Sequence, residues 1–277
     1  MAHMHKALQY KVAVVTGGSG VLCSEMAKEL ARQGMRVVIL NRTAQKGEAV
    51  VQAIQENGGE AMNFSVDVLN KESLIAAREA ILQQYGQIDI LINGAGGNHP
   101  DAITADELYK EEANTPNFFE LKSDGFESVF SNNFTGTFLA SQVFGEALLK
   151  TKGTIINISS MSSYAPMTKV PAYSAAKAAI NNFTQWMAVY FAEAGLRVNA
   201  IAPGFFITEQ NHDLLLKEDG SLTARSEKII AATPQKRFGK PQDLLGALLF
   251  LADDTYSAFV TGVTIPVDGG FMAYSGV

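Results

Sequence analysis

Tyr173 and Lys177 stand four residues apart in Tyr173-Ser174-Ala175-Ala176-Lys177, with Ser160 thirteen positions upstream and Asn133 further back. On a helix, positions i and i+4 share a face, so the phenol and the ammonium can act side by side. The chemistry open to such a pair is proton transfer. A free tyrosine titrates near pH 10, so acid–base work near neutrality needs its pKa to fall by roughly 3, a preference for phenolate of about 4 kcal/mol. The Lys177 ammonium is expected to supply much of it. Taken singly, each residue also fits a plain role: core aromatic, solvated charge, strand-end hydroxyl, helix-interior amide.

A second cluster lies near the start of the chain. Thr16-Gly17-Gly18-Ser19-Gly20-Val21-Leu22-Cys23 follows an apolar run and opens a helical pattern. Glycines there let backbone approach a pyrophosphate, and amides at a helix start attract its charge. The alternative is an ordinary glycine-rich turn.

These residues need a scaffold, and the patterning supplies one. Seven short β-rich runs, 12–15, 36–40, 62–66, 88–92, 154–158, 197–201 and 263–267, are mostly continuously apolar, as strands buried on both faces are. Helical periodicity falls between the first six, over 25–32, 45–56, 72–85, 125–149 and 175–194, and several of these segments end at a glycine such as Gly34, Gly58, Gly86 or Gly195. The alternation predicts an α/β, Rossmann-like, doubly wound fold: a seven-stranded parallel sheet with helices on both faces. No linker divides the chain, so residues 1–277 are read as a single dinucleotide-binding and catalytic domain. Residues 94–124 and 205–240 break the rhythm as long loops after the fourth and sixth strands, where an open α/β sheet builds its ligand crevice.

Composition narrows the class. Of 277 residues, 47% are hydrophobic and 18% charged, which suits a sizeable core and excludes global disorder. The net charge of −6, without a basic cluster, argues against nucleic acid as a partner. The longest apolar run, 244–252, is about half of the roughly 18 to 20 residues of a membrane span, so no membrane partner is expected. One cysteine, Cys23, and no apolar leader point to a cytoplasmic protein. Cys23 reads as packing filler rather than a reactive thiol. His3 and His5 are set aside as a disordered arm or tag remnant, and no metal-ligand spacing is found.

With these motifs in this order, the chain resembles the short-chain dehydrogenase/reductase family over nearly its whole length. The resemblance implies that Asn133, Ser160, Tyr173 and Lys177 form a catalytic tetrad. Ser160 would orient the substrate oxygen, Lys177 would also hold the nicotinamide ribose, and Asn133 would hold a water linking Lys177 to solvent. It further implies cofactor contacts at Gly17, Ser19, Gly20, Val21 and Leu22 in the turn, Asn41 and Arg42 after the second strand, and Asp67 and Val68 on the adenine side. Asn93, Gly94 and Ala95 after the fourth strand, Pro203, Gly204, Phe206 and Thr208 beside the nicotinamide, and Tyr173 and Lys177 complete the set. Val267-Asp268-Gly269-Gly270 matches a C-terminal signature, and the family's habit implies a homotetramer packed through the helices carrying Asn133 and Tyr173.

The chain departs from the family where Val21 and Cys23 fall on two expected glycines, with Gly20 a possible compensation. Where an acidic residue would bind the 2′-hydroxyl of NAD stand Asn41 and Arg42. Loss of the carboxylate removes repulsion for a 2′-phosphate and a guanidinium can pair with one, so NADP is expected, with NAD the close alternative through Asn41.

Residues 96–121 and 211–239 resemble those family members that interconvert D-fructuronate and D-mannonate, the expected reaction on a sugar-acid ketone or secondary alcohol. Gluconate, another polyol, a 3-ketoacyl thioester, or a non-catalytic dinucleotide sensor are the alternatives. Asn98, His99, Ser160 and Tyr173 are the expected substrate contacts; Asn211, His212, Arg225, Lys228 and Arg237 are further candidates for a hydroxyl or carboxylate.

Overall fold

Strands whose side chains are apolar on both faces require cover on both faces, and the chain provides it. The computed structural model describes residues 5–111, 115–208 and 211–276. The strands are β1 (Val12–Thr16), β2 (Arg36–Asn41), β3 (Glu60–Ser65), β4 (Ile90–Asn93), β5 (Thr154–Ile158), β6 (Arg197–Pro203) and β7 (Thr264–Val267). They form one parallel sheet in the order β3-β2-β1-β4-β5-β6-β7. The helices are α1 (Val21–Arg32), α2 (Ala44–Glu56), α3 (Lys71–Tyr85), α4 (Ser123–Phe130), α5 (Gly136–Thr151) and α6 (Pro171–Tyr190). Short α7 (His212–Leu215), α8 (Ala224–Ala232), α9 (Leu245–Ala252) and α10 (Asp254–Ser257) follow.

Period-two alternation divides the core into two layers. Ala13 and Val15 of β1 join Met26 and Leu30 of α1, Ile54 of α2 and Leu248 of α9 on one face. Val12 and Val14 join Leu74 and Ile81 of α3, Phe144 of α5 and Met187 of α6 on the other. Each large side chain buried in this way contributes about 1.5–3 kcal/mol. Because the chain winds outward from β1 in both directions, the connections after β1 and β4 diverge and leave a crevice at the carboxyl edge.

Three features depart from the sequence reading. The expected helix over 125–149 is interrupted by a π turn, Ser131–Thr135, between α4 and α5. The Asn133 side chain explains it: its Nδ2 donates to the Val129 carbonyl at 2.7 Å, the acceptor that an α-helical N–H would use. Residues 245–252, so apolar that no amphipathic period shows, form α9, with Leu248 and Leu251 fully buried. His5 is docked rather than loose, its Nδ1 2.7 Å from Asp253 Oδ2, because it joins a buried carboxylate at the start of α10; His3 lies outside the described residues.

Two glycines on α5 give a direct test of the packing. A Cβ at Gly145 meets nothing within 4 Å, whereas one at Gly136 would lie 2.6 Å from Val68 Cγ2. Gly145→Ala is expected to raise stability by about 0.5–1 kcal/mol, and Gly136→Ala to lower it. Urea denaturation of both variants checks this; equal gains would contradict the close contact of α5 with residue 68.

Candidate active site

The glycine-rich turn is shaped by contact with the β4 end. Gly17 has φ +63°, and a Cβ there would fall 2.8 Å from the Ala95 backbone. Thr16 Oγ1 accepts from the amides of Gly94 (3.1 Å) and Ala95 (3.3 Å), clamping the ends of β1 and β4 together. Thr16 was not among the expected site residues, although its place at the head of the turn marked it. α1 begins at Val21 with no side-chain cap, leaving its first amides for an anion. This turn fits a dinucleotide pyrophosphate.

Of the two missing glycines, the one replaced by Cys23 is accommodated by packing. Cys23 is buried, and a Cβ on Gly94 would overlap its Sγ, so the sulfur occupies space that the glycine at 94 leaves open. Burial pushes the Cys23 thiol up to about 11, which leaves it unreactive. The positions of Asn41 and Asn93 differ from their expected roles. Asn41 is buried, its Nδ2 spent on the Thr43 carbonyl and its Oδ1 enclosed, so its amide does not face a ribose. Asn93 Nδ2 donates to Ser141 Oγ (3.0 Å) and Asn157 Oδ1 (2.9 Å) inside the protein. Arg42 and Asp67 are exposed at the carboxyl ends of β2 and β3, while Val68 is buried under α5. Gly204 abuts the C-terminal signature, its amide donating to the Val267 carbonyl at 2.9 Å.

Ser160, Tyr173 and Lys177 converge beyond the end of β5. α6 begins with Pro171 at its first turn, two residues before Tyr173. Lys177 is 4% exposed and donates to the Ile158 carbonyl at 2.8 Å; burial pulls it down to about 8. Its ammonium lies 5.5 Å from the centre of the Tyr173 ring. The expected depression of the phenol is absent from the protein alone. Burial pushes Tyr173 up, Ser160 works against that, and the Lys177 ammonium is engaged with the Ile158 carbonyl.

Asn133 sits on the π turn, which packs against α6. Its Nδ2 also donates to Gly97 O at 2.8 Å, and a Cβ on Gly96 would collide with its Oδ1, which has no partner. The residue therefore shapes the loop after β4 directly. Beneath Ser160 runs a network that the sequence reading missed: Ser159 Oγ donates to Asn181 Oδ1 (2.6 Å), Asn181 Nδ2 to Ser163 Oγ (2.7 Å), and Ser163 Oγ to the Ser160 carbonyl (2.6 Å). Asn181 lies four residues after Lys177, so the helical spacing could have found it.

The loop after β4 reaches the tyrosine through Ala102. Ala102 packs with Val129 and Ala172 against Tyr173, and the Thr104 amide donates to Lys169 O at 3.0 Å. His99 Nδ1 accepts from the Asp101 amide at 3.2 Å, which places the ring proton on Nε2. Asn98 is exposed, its Oδ1 taking the His99 amide. Several expected substrate groups are already engaged: Asn211 holds the Thr208 amide and Phe206 carbonyl, Arg237 pairs with Asp243, and Lys228 pairs with Glu107 at 3.0 Å, joining the two long loops. A cavity of about 370 Å³ lined by Phe205, Phe206, Thr233, Arg237 and Asp268 contains none of Asn133, Ser160, Tyr173 and Lys177. Among the described residues, no helix is long and apolar enough to cross a membrane, and no group of three or more His, Cys, Asp or Glu could hold a metal.

A dinucleotide turn at the sheet's switch point, beside a Ser–Tyr–Lys group at the neighbouring strand end, defines a nicotinamide-dependent oxidoreductase. The family model for short chain dehydrogenases matches residues 11–219, and the chain belongs to that family. It is thus an NAD(P)-dependent enzyme acting on CH–OH groups. The uncharacterized oxidoreductase UxuB of Bacillus subtilis (strain 168) is 67% identical over 278 residues, covering 100% of both chains. A crystal structure from Haemophilus influenzae, provisionally named a D-mannonate oxidoreductase and holding NAD, is 48% identical with a TM-score of 0.94, covering 98% of this chain and 99% of that one. The 5-keto-D-gluconate 5-reductase of Escherichia coli (strain K12) is 32% identical over 269 residues, 96% of this chain and 97% of that protein.

Lys177 carries a stability cost whose sign follows from its pKa. Folding lowers it from 10.5 to about 8, so below pH 8 both states are charged and the buried ammonium opposes folding. The cost, on the order of 3 kcal/mol, is relieved as pH rises between the two values. Lys177→Met is therefore expected to keep or raise Tm at pH 7 while turnover falls by about a thousandfold or more. A drop of several degrees would show instead that the ammonium stabilises the fold.

Proposed function

We propose that this enzyme interconverts D-fructuronate and D-mannonate in the cytoplasm, using NADP, as a homotetramer. The observation that carries the chemistry is buried Lys177, its ammonium bonded to the Ile158 carbonyl and 5.5 Å from the centre of the Tyr173 ring, at the strand end where Ser160 begins the next turn. The sugar acid is supported by likeness to the Haemophilus protein, and NADP by exposed Arg42 where a carboxylate would repel a 2′-phosphate. Residues 1–277 act as one unit, with 94–124 and 205–240 shaping the substrate pocket.

The bound cofactor supplies or accepts a hydride. Tyr173 gives its proton to the ketone oxygen in reduction and takes the alcohol proton in oxidation, Ser160 holds that oxygen, and Lys177 steadies the charge on the phenol. Asn133 keeps residues 96–97 clear of the site and holds a water that relays protons to Lys177. His99, with its Nε2–H free of the Asp101 contact, and Asn98 bind substrate hydroxyls. The Escherichia coli relative favours a keto-gluconate as the second reading. For assembly, Trp186, Val189 and Tyr190 offer an exposed apolar strip on the helix that carries Tyr173.

Incubation with NADH or NADPH and a panel of keto sugar acids tests the substrate: turnover of fructuronate at least about tenfold above 5-keto-gluconate is expected, and the reverse order sinks the assignment. Tyr173→Phe should lose roughly a thousandfold in kcat; near-normal turnover would remove the tyrosine from the chemistry. Since burial holds the phenol protonated at neutral pH, the oxidation rate should climb with pH while reduction declines; profiles of both directions check this. Arg42→Ala should weaken NADPH binding about tenfold more than NADH.

A further inference from the structure

The segment that follows β2 is held in an unusual way. Four successive carbonyls are each taken by a donor from β2, from β3 or from Val66 just after it. Asn41 O accepts from the Val66 amide (3.0 Å), Arg42 O from Ser65 Oγ (3.0 Å), Thr43 O from Asn41 Nδ2 (2.5 Å), and Ala44 O from Asn63 Nδ2 (3.1 Å). The amide orientations of Asn41 and Asn63 follow from their partners, since only an N–H can face a main-chain carbonyl. The two remaining side-chain oxygens, Asn41 Oδ1 and Asn63 Oδ1, are buried without partners, and a Cβ on Gly47 would overlap both. They are closed in against α2.

The consequence is a sorting of polarity. The carbonyls of residues 41–44 are each occupied by a protein donor, while the Arg42 guanidinium and Thr43 side chain are exposed. A ribose 2′-hydroxyl gives its proton to an acceptor, and a 2′-phosphate offers acceptors only. Facing a segment whose carbonyls already hold internal donors and whose Asn41 oxygen is enclosed, a 2′-hydroxyl is left with the Thr43 hydroxyl as its acceptor there, while a 2′-phosphate finds both the Arg42 guanidinium and the Thr43 hydroxyl as donors.

We infer that Ser65 and Asn63 are positioning residues for cofactor choice: by holding the carbonyls of Arg42 and Ala44 against β3 they present a donor-lined edge that weights binding toward a 2′-phosphate. This rests on the reading that Arg42 faces the adenosine ribose. Ser65 is exposed and Asn63 half-buried, and neither belongs to the tetrad or the glycine-rich turn.

Dissociation constants of NADPH and NADH, from nucleotide fluorescence, test it without a known substrate. Ser65→Ala is expected to raise the ratio Kd(NADPH)/Kd(NADH) about fivefold, the worth of one net hydrogen bond. Ser65→Thr, which keeps the hydroxyl, should restore the wild-type ratio, and Asn63→Ala should shift it in the same direction as Ser65→Ala. An unchanged ratio, or both constants rising together, overturns the inference and leaves Ser65 a structural residue. The wild-type ratio is a separate measurement. Tighter binding of NADH by the unaltered protein would defeat the Arg42 reading, whereas the response of the ratio to Ser65→Ala decides the role of β3.

Discussion

An ammonium enclosed at the carboxyl edge of a parallel sheet sets the terms for everything around it. Lys177 has almost no contact with water, and its bond to the Ile158 carbonyl is what compensates the charge. That bond ties α6 to the end of β5 at the level where Ser160 begins the next turn. Tyr173, one helical turn earlier, is thereby held against Ser160. A charge that opposes folding on its own is kept where it faces the phenol ring at 5.5 Å.

The same economy of polar groups recurs across the sheet edge. Thr16 joins the ends of β1 and β4, and Asn93 and Asn157 continue the link through β4 and β5 to Thr184 of α6 at 2.8 Å. These buried hydrogen bonds lock neighbouring strand ends in register, which a layer of Val and Ile cannot do, because apolar contact is not directional. Asn133 performs a related task on the opposite wall, where its amide replaces a helical donor and holds the loop after β4. The two long loops after β4 and β6 are joined by the exposed Lys228–Glu107 pair, an interaction of at most about 1 kcal/mol.

Much of this was legible in the chain. Continuous apolar runs of four to six residues are characteristic of strands covered on both faces, and β1, β2, β5 and β6 lie within a residue or two of their expected limits. The i, i+4 spacing of Tyr173 and Lys177 predicted a shared helical face, and the structure shows one. What could not be read were features created by distant partners. α9 has no amphipathic period because its exposed positions, Gly246 and Phe250, are as apolar as its buried ones. The π turn arises because one side chain competes with the backbone for Val129 O. Asn41 and Asn211 looked like ligand contacts, but both are consumed by the loops in which they sit.

Residue order alone settled the class of chemistry, because proton transfer needs a phenol and an ammonium on one helical face, and a nucleotide needs a flexible turn before a helix; both are local facts. Tertiary structure decided which way the charges lean. Burial raises the phenol and lowers the ammonium, while donors brought up by the paired strands occupy the carbonyls of residues 41–44. Solvent exclusion and hydrogen-bond direction belong to the assembled sheet, since they depend on groups that meet only when strands far apart in the chain lie side by side.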